Sequence, residues 1–337
     1  MSRATSCSRH LLFIWPEGPY GPPHVESAKF SGVTATPLDD LDRSDAPLPV
    51  PPPPWRQQVG TRVAGWARLL TRPPRWTEVV RAPWRVRQRL LTNLAILVAV
   101  VALAMAVADT WAITYARERS PELVATFHWI TQYGLSGYFL WPLGLMLIAA
   151  ALAPPRRLPR FTRDVFTAVM VRISFLFLAI ALPGLVVSIV KRLIGRARPF
   201  VPDNVPDAFL FHPFGWASAY ASFPSGHSTT AFSALIAFGA LWPALRPLLW
   251  MYALLIALSR VMVVAHHPSD VIAGAAFGAV GALLVRDWFA ERRLAFLIAP
   301  DGRVLPMSGP TIWRVGRLLR AMLPFRAFSG KVDTGFP

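Results

Sequence analysis

Cysteine is almost absent from this chain: Cys7 stands alone, which excludes an internal disulfide. Charge is sparse as well. Only 16% of the 337 residues are charged, against 54% hydrophobic, too apolar a balance for a soluble domain. Acid is outnumbered, with 18 Asp and Glu against 35 Lys and Arg, for a net charge of +17. Lysine itself is rare: Lys29, Lys191 and Lys331 are the whole supply, so the positive charge is carried by arginine. The first sixty residues hold no apolar core of signal-peptide length, so the first span is expected to serve as an uncleaved anchor. No internal repeat is evident.

What is present are apolar blocks near the roughly 20 residues that cross a bilayer. They predict an all-α integral membrane bundle of six transmembrane helices, expected near residues 91–113, 135–152, 165–190, 229–245, 248–264 and 266–289. Residues 1–60 are rich in proline, ending in Pro51–Pro54, and read as a disordered tail. Residues 61–90 interleave arginines with Trp66, Trp76 and Trp84, the composition of a basic juxtamembrane segment. The bundle occupies 91–290. The remaining 291–337 reads as a cytoplasmic tail in which Thr311–Arg320 forms a basic amphipathic helix on the membrane face.

So strong a positive charge often signals nucleic acid. Here the arginines flank apolar runs, so topology and anionic membrane lipids explain them, and no nucleic-acid partner is expected. Arginine-rich segments at 61–90, 154–163 and after Phe289 are then cytoplasmic, as are both termini. The Lys191–His227 loop and the His266–Asp270 turn fall on the outer side, where their cations break the charge rule and call for a function.

Three segments carry that function. The first offers Lys191, Arg192, Arg196 and Arg198; a lysine in an arginine-rich chain suggests a compact point charge. The second is Pro224-Ser225-Gly226-His227, a turn that opens a helix, with Ser225 as N-cap and backbone N–H groups aimed at one spot. The third is Arg260 with His266, His267, Pro268 and Asp270. Arginine within an apolar span costs about 2.5–3.5 kcal/mol on insertion scales, and a bound anion would offset it. Asp270 lies four residues from His266 and three from His267, so either pairing is open. Two imidazoles, a carboxylate, fixed cations and a helix N-terminus form the set that phosphoryl transfer uses. Asp109, near the end of the first span, is expected to snorkel to water, and His128 to lie at the interface.

Taken together, Lys191 with Arg198-Pro199, then Pro224-Ser225-Gly226-His227, then Ser259-Arg260 with His266 and Asp270 resemble the three-part signature of the type 2 phosphatidic acid phosphatase superfamily. The resemblance covers roughly residues 90–290. It implies a membrane lipid phosphate phosphatase in which His266 is the nucleophile and forms a phosphohistidine. Asp270 then orients His266, and His227 serves as general acid and later as general base. Lys191, Arg198, Arg260, Ser225 and the N–H of Gly226 would bind phosphoryl oxygens. The resemblance implies no metal and no cofactor, and it favours His266 over His267. Arg192 and Arg196 fall at positions the signature leaves free and are expected to touch membrane or substrate headgroup.

The expected substrate is a lipid phosphomonoester or diphosphate, such as undecaprenyl diphosphate, phosphatidylglycerol phosphate, phosphatidic acid or a lipid A phosphate. Its site would face the outside of the cytoplasmic membrane. Phosphotransfer to another acceptor uses the same residues. Other readings are vanadate-dependent halide oxidation, a lipid or anion transporter and a zinc site built from the histidines and Asp270. The 200–223 loop, with Phe211, His212 and Trp216, is the expected selectivity element.

Overall fold

The computed structural model describes residues 54–74, 83–152, 160–201 and 208–322. The proline-rich stretch 1–53, Arg75 and Arg81, most of the 154–163 loop, residues 202–207 and the end of the tail lie outside the described residues. The chain order is α1 (Trp55–Leu70), α2 (Pro83–Leu103), α3 (Asp109–Arg117), α4 (Pro121–Gln132), α5 (Gly137–Leu152) and α6 (Arg160–Ile194), followed by α7 (Gly226–Leu241), α8 (Arg246–Met262) and α9 (Pro268–Glu291). A short antiparallel hairpin, β1 (Phe296–Ile298) with β2 (Val304–Pro306), precedes α10 (Ile312–Met322). The fold is thus helical, as the apolar periodicity predicts, with one hairpin added. Helix α1 begins at Trp55, so the expectation of disorder through residue 60 is corrected for those six positions.

Five helical stretches among the described residues are long and apolar enough to cross a membrane: Leu91–Arg117, Pro121–Leu152, Phe161–Ile194, Pro243–Met262 and Pro268–Glu291. Their exposed side chains are large and apolar, Leu94, Val98, Leu145, Leu185 and Leu254 among them, as a lipid-facing surface requires. Helix α7, at 16 residues, is shorter. It is the centre of the bundle, packed by α6, α8 and α9. Its small residues Ser228, Ala231, Ala234 and Ala237 are all buried, so neighbouring helices replace lipid around it.

The tightest approach is between α7 and α9. A Cβ built on Gly274 would lie 2.3 Å from the Ser225 carbonyl oxygen, and one on Gly278 would lie 2.3 Å from that of Thr229. Two glycines four apart thus let the backbones touch, and Ser233 donates a hydrogen bond to the Gly278 carbonyl at 3.1 Å. The other end of the bundle is closed by an aromatic cluster. Phe175 meets Phe289 and Phe296 edge-on at centroid distances of 5.4 and 4.8 Å, which anchors the hairpin under the helices. Helix α10 packs on α6, its Arg314 and Arg317 guanidiniums lying near the Phe161 ring.

Candidate active site

Three turns at one end of the bundle build the site. The first ends α6. Lys191 occupies the last helical turn, and Gly195, at φ +63°, caps it by donating its N–H to the Lys191 carbonyl at 3.0 Å. A Cβ on Gly195 would fall 1.8 Å from the His212 carbonyl oxygen, so only glycine fits. The reversal carries the chain back through a single antiparallel bridge, Arg196 to Phe211, and the Arg198 N–H bonds the Ala219 carbonyl at 2.8 Å. Lys191 and Arg198 thereby face the same space from opposite sides of the turn.

The second turn opens α7. Ser225 takes the N-cap position with extended backbone, as its sequence predicts, but its hydroxyl is not the cap: it accepts from Ser228 Oγ at 3.1 Å. The Ser225 N–H donates to the Asp270 carbonyl at 3.0 Å, which ties this turn to the third. Gly226 follows, and Lys191 Nζ sits 3.4 Å from the point where a Gly226 Cβ would stand. The ring of His227 packs against Gly134: a Cβ there would reach His227 Cδ2 at 2.9 Å.

The third turn joins α8 to α9. Val264 is held at φ +54°, an unfavourable region for a β-branched residue. The N–H groups of Ala265 and His266 both bond the Arg260 carbonyl, at 3.1 and 3.2 Å, so the strained turn seats His266 directly over Arg260. Arg260 is buried and donates through Nη1 to Thr131 Oγ1 at 2.6 Å. Helix α4 therefore packs on α8 and reaches the site. His128, by contrast, is exposed.

The Asp270 carboxylate is fully buried and saturated. Its Oδ1 accepts from Arg196 Nη1 at 2.5 Å. Its Oδ2 accepts from Ser222 Oγ at 2.5 Å and from the His267 N–H at 2.9 Å. His266 Nδ1 lies 3.8 Å from that same Oδ2 and 3.5 Å from Ser222 Oγ, so Ser222 stands between carboxylate and imidazole. His267 Nδ1 lies 3.4 Å from Oδ2, and neither His267 ring nitrogen has a hydrogen-bond partner among the described residues. Distance therefore leaves both pairings within reach. Burial, reinforced by the charges of Arg260 and Arg198 and opposed by Asp270, pushes the His266 pKa down to about 4. At neutral pH that imidazole is unprotonated, the state a nucleophile needs.

Two sequence expectations are corrected. Arg196 is not a membrane or headgroup contact; it is fully buried and bonds Asp270, Ser269 Oγ at 2.7 Å and Asp109 Oδ2 at 2.7 Å. Asp109 does not snorkel; it too is fully buried, because α3 packs against α9. Arg192 remains at the rim, donating to the Trp216 and Ala217 carbonyls. Residues that sequence reasoning missed are thus Asp109, Ser222, Thr131 and Ser269. A lone carboxylate inside an apolar run was the available signal for Asp109; nothing comparable marked the others.

Buried arginine nitrogens complete the electrostatics. Arg198 Nε and Arg260 Nε are buried donors with no hydrogen-bond partner among the described residues. Buried donors of that kind are costly unless an acceptor meets them. Arg196 is neutralised by two carboxylates, whereas Lys191, Arg198 and Arg260 have no carboxylate ion-pair partner within 4.0 Å among the described residues. The site can therefore grip a tetrahedral anion between three cations and the start of α7.

An enclosure of this kind is suited to a phosphoryl group, and comparison with known proteins finds similar chains. Residues 172–294 match the model of the PAP2 superfamily. It is 47% identical over 131 residues to the lipid A 1-phosphatase of Rhizobium johnstonii, covering 38% of this chain and 52% of that protein. The lipid A 1-phosphatase of Rhizobium etli is 45% identical over 131 residues, covering 38% and 55%. The chain thus spans about half the length of the curated relatives it matches. The crystal structure of the first transmembrane PAP2 type phosphatidylglycerolphosphate phosphatase from Bacillus subtilis superposes with a TM-score of 0.42 at 21% identity, over 59% of this chain and 94% of that one.

Proposed function

We propose that this chain is a multi-pass membrane enzyme that hydrolyses a lipid phosphate through a phosphohistidine, with residues 91–290 as its phosphatase domain. One observation carries the reading: the Ser225–Asp270 backbone bond joins the turn that bears His227 to the turn that bears His266, beside the Arg198 and Arg260 Nε donors, which have no partner among the described residues. The phosphate lies among Lys191, Arg198, Arg260, Ser225 and the Gly226 N–H. His266 attacks phosphorus through Nε2, since Nδ1 faces Ser222 and Asp270. The bond from phosphorus to the lipid oxygen breaks, and His227 gives that oxygen its proton. His227 then takes a proton from water, whose oxygen attacks phosphorus and releases inorganic phosphate and free His266.

The leaving lipid sits on the His227 side. A cavity of about 320 Å³ opens there, lined by His227 and Gly226 together with Leu135, Leu140, Ile180 and Leu185. Its apolar wall, between α5 and α6, suits a lipid portion entering from the bilayer. The names of the relatives make lipid A 1-phosphate the first substrate to test. Six spans, α7 counted as one, would put both termini in the cytoplasm and the site at the outer face, where anionic lipids meet the arginine-rich inner segments on the other side.

Purified full-length protein in detergent, with excess chelator, should release inorganic phosphate from at least one of lipid A 1-phosphate, phosphatidic acid, phosphatidylglycerol phosphate or undecaprenyl diphosphate. Lipid binding without release would favour a transporter, and labelled phosphate appearing on another acceptor would favour phosphotransfer. His227→Ala should slow phosphoenzyme formation by about 100-fold or more. A leaving group of low pKa should recover most of that loss, because it needs no proton; equal loss on both substrates would assign His227 to binding instead.

A further inference from the structure

The segment that matches the family begins at residue 172, yet the catalytic carboxylate is held by a residue well before it. Between α2 and α3 the helix opens into a π-helical turn over Ala104–Ala108, and Asp109 is the next residue. Such turns rotate the following side chains relative to a regular helix. Here the result is a fully buried carboxylate at the N-terminus of α9. Asp109 Oδ1 accepts the Ser269 N–H at 2.9 Å, and Oδ2 accepts Ser269 Oγ at 2.5 Å and Arg196 Nη2 at 2.7 Å. Arg196 in turn holds Asp270 Oδ1, and its Nε and Nη2 are fixed by the Ala208 carbonyl at 3.0 and 2.8 Å.

We infer that Asp109 and Arg196 are positioning residues for the reaction, acting through Asp270 on His266. This rests on the proposed function but adds a component that the three-part signature lacks. Without Asp109, Arg196 would keep Asp270, Ser269 and the Ala208 carbonyl but lose one of its two Nη2 acceptors and its second counter-charge; Asp109 supplies both. With Oδ1 locked, Asp270 offers only Oδ2 to Ser222, and through it to His266. Asp109 also occupies the start of α9 with a protein carboxylate, while among the described residues no side chain caps the start of α7. The two helix N-termini thus divide the work: one is closed to anchor the carboxylate, and the other is left for the phosphate.

The test uses purified full-length protein and two kinds of readout. For turnover of phosphatidic acid or lipid A 1-phosphate, Asp109→Asn and Arg196→Lys should each lower kcat by about 100-fold with KM within about threefold. In an Asp270→Asn background, Asp109→Asn should add no further loss, because the two act as a unit. Independently of lipid turnover, Asp109→Asn should weaken orthovanadate, which takes an apical bond from a positioned imidazole, by about tenfold, while inorganic phosphate shifts less than about threefold. If Asp109→Asn does not fold, Ser269→Ala keeps the ion pairs and should show the same contrast at about fivefold. Losses that multiply in the double variant, or vanadate and phosphate weakened alike, would overturn the inference. A parent that turns over neither lipid but shows the vanadate contrast would sink the lipid phosphatase reading and leave this one standing.

Discussion

Replacing His266 with alanine is expected to lower kcat by about 10⁴-fold or more and to remove any phosphoenzyme, because the proposed mechanism assigns the attacking electron pair to its imidazole. The substitution also deletes a buried ring that is 2% exposed, so a modest fall in thermal midpoint should accompany it. The two effects separate cleanly. The variant should still elute as folded protein and still bind inorganic phosphate, since Lys191, Arg198 and Arg260 are untouched. Turnover within tenfold of the parent would remove His266 from the role of nucleophile. His267→Ala serves as the comparison. Its ring is fully buried, and its backbone N–H, which the substitution retains, is what bonds Asp270. It should cost stability more than chemistry.

Gly274→Ala is expected to produce the second large loss, about 100-fold in kcat, by shifting the phosphate-binding turn rather than by deleting a phosphate ligand. Its Cβ would meet the Ser225 carbonyl oxygen at 2.3 Å, a distance that forces α7 and α9 apart by roughly 1 Å. The displaced atom belongs to the turn that presents Ser225, Gly226 and His227, and its neighbour, the Ser225 N–H, is the link to Asp270. Ångström-scale misplacement of reacting groups costs about two orders of magnitude in rate. Gly278→Ala strikes Thr229, one turn further from the site, and should destabilise as much, by about 1–3 kcal/mol, while sparing kcat more. Gly65→Ala, with open space around it in α1 and outside the cavity lining, is the neutral control. The checks are thermal midpoints and steady-state kinetics on the same detergent preparations. A Gly274→Ala enzyme with parental kcat would show that the α7–α9 contact does not set the geometry of the site.

The parts of the site that were legible in sequence are those whose chemistry is unusual for their surroundings. A lysine in an arginine-rich chain, an arginine inside an apolar span and histidines beside turn residues all stand out because burying them needs a reason. The glycine after Ile194 and the Pro224-Ser225-Gly226 turn likewise announce where the helices stop and start. What stayed hidden depends on direction. Arg192, Arg196 and Arg198 look alike in a row of basic residues; the left-handed Gly195 sends the middle one inward, and nothing local reveals which way it points. Asp109 near the end of an apolar run looks free to reach water, and only the π-helical turn and the packing of α3 on α9 enclose it. Ser222 and Thr131 are ordinary residues whose roles come entirely from long-range neighbours.

Elements were missed for similar reasons. The strands Phe296–Ile298 and Val304–Pro306 are three residues each, too short for alternation to show, and are anchored by Phe296 against Phe175 rather than by their own pattern. Helix α1 starts directly after a proline run whose composition speaks for disorder. The boundary between α7 and lipid was also unreadable, since a helix sheathed by three others needs neither length nor bulk to sit in the interior.

The most direct measurement is to mix purified protein with ³²P-labelled lipid phosphate, quench within milliseconds in base, and map the labelled peptide by mass spectrometry. A base-stable, acid-labile phosphoryl group on His266, forming and decaying at rates that match turnover, is the predicted result. Label on His267 or on a serine, or steady phosphate release with no protein-bound label at any time, would contradict it.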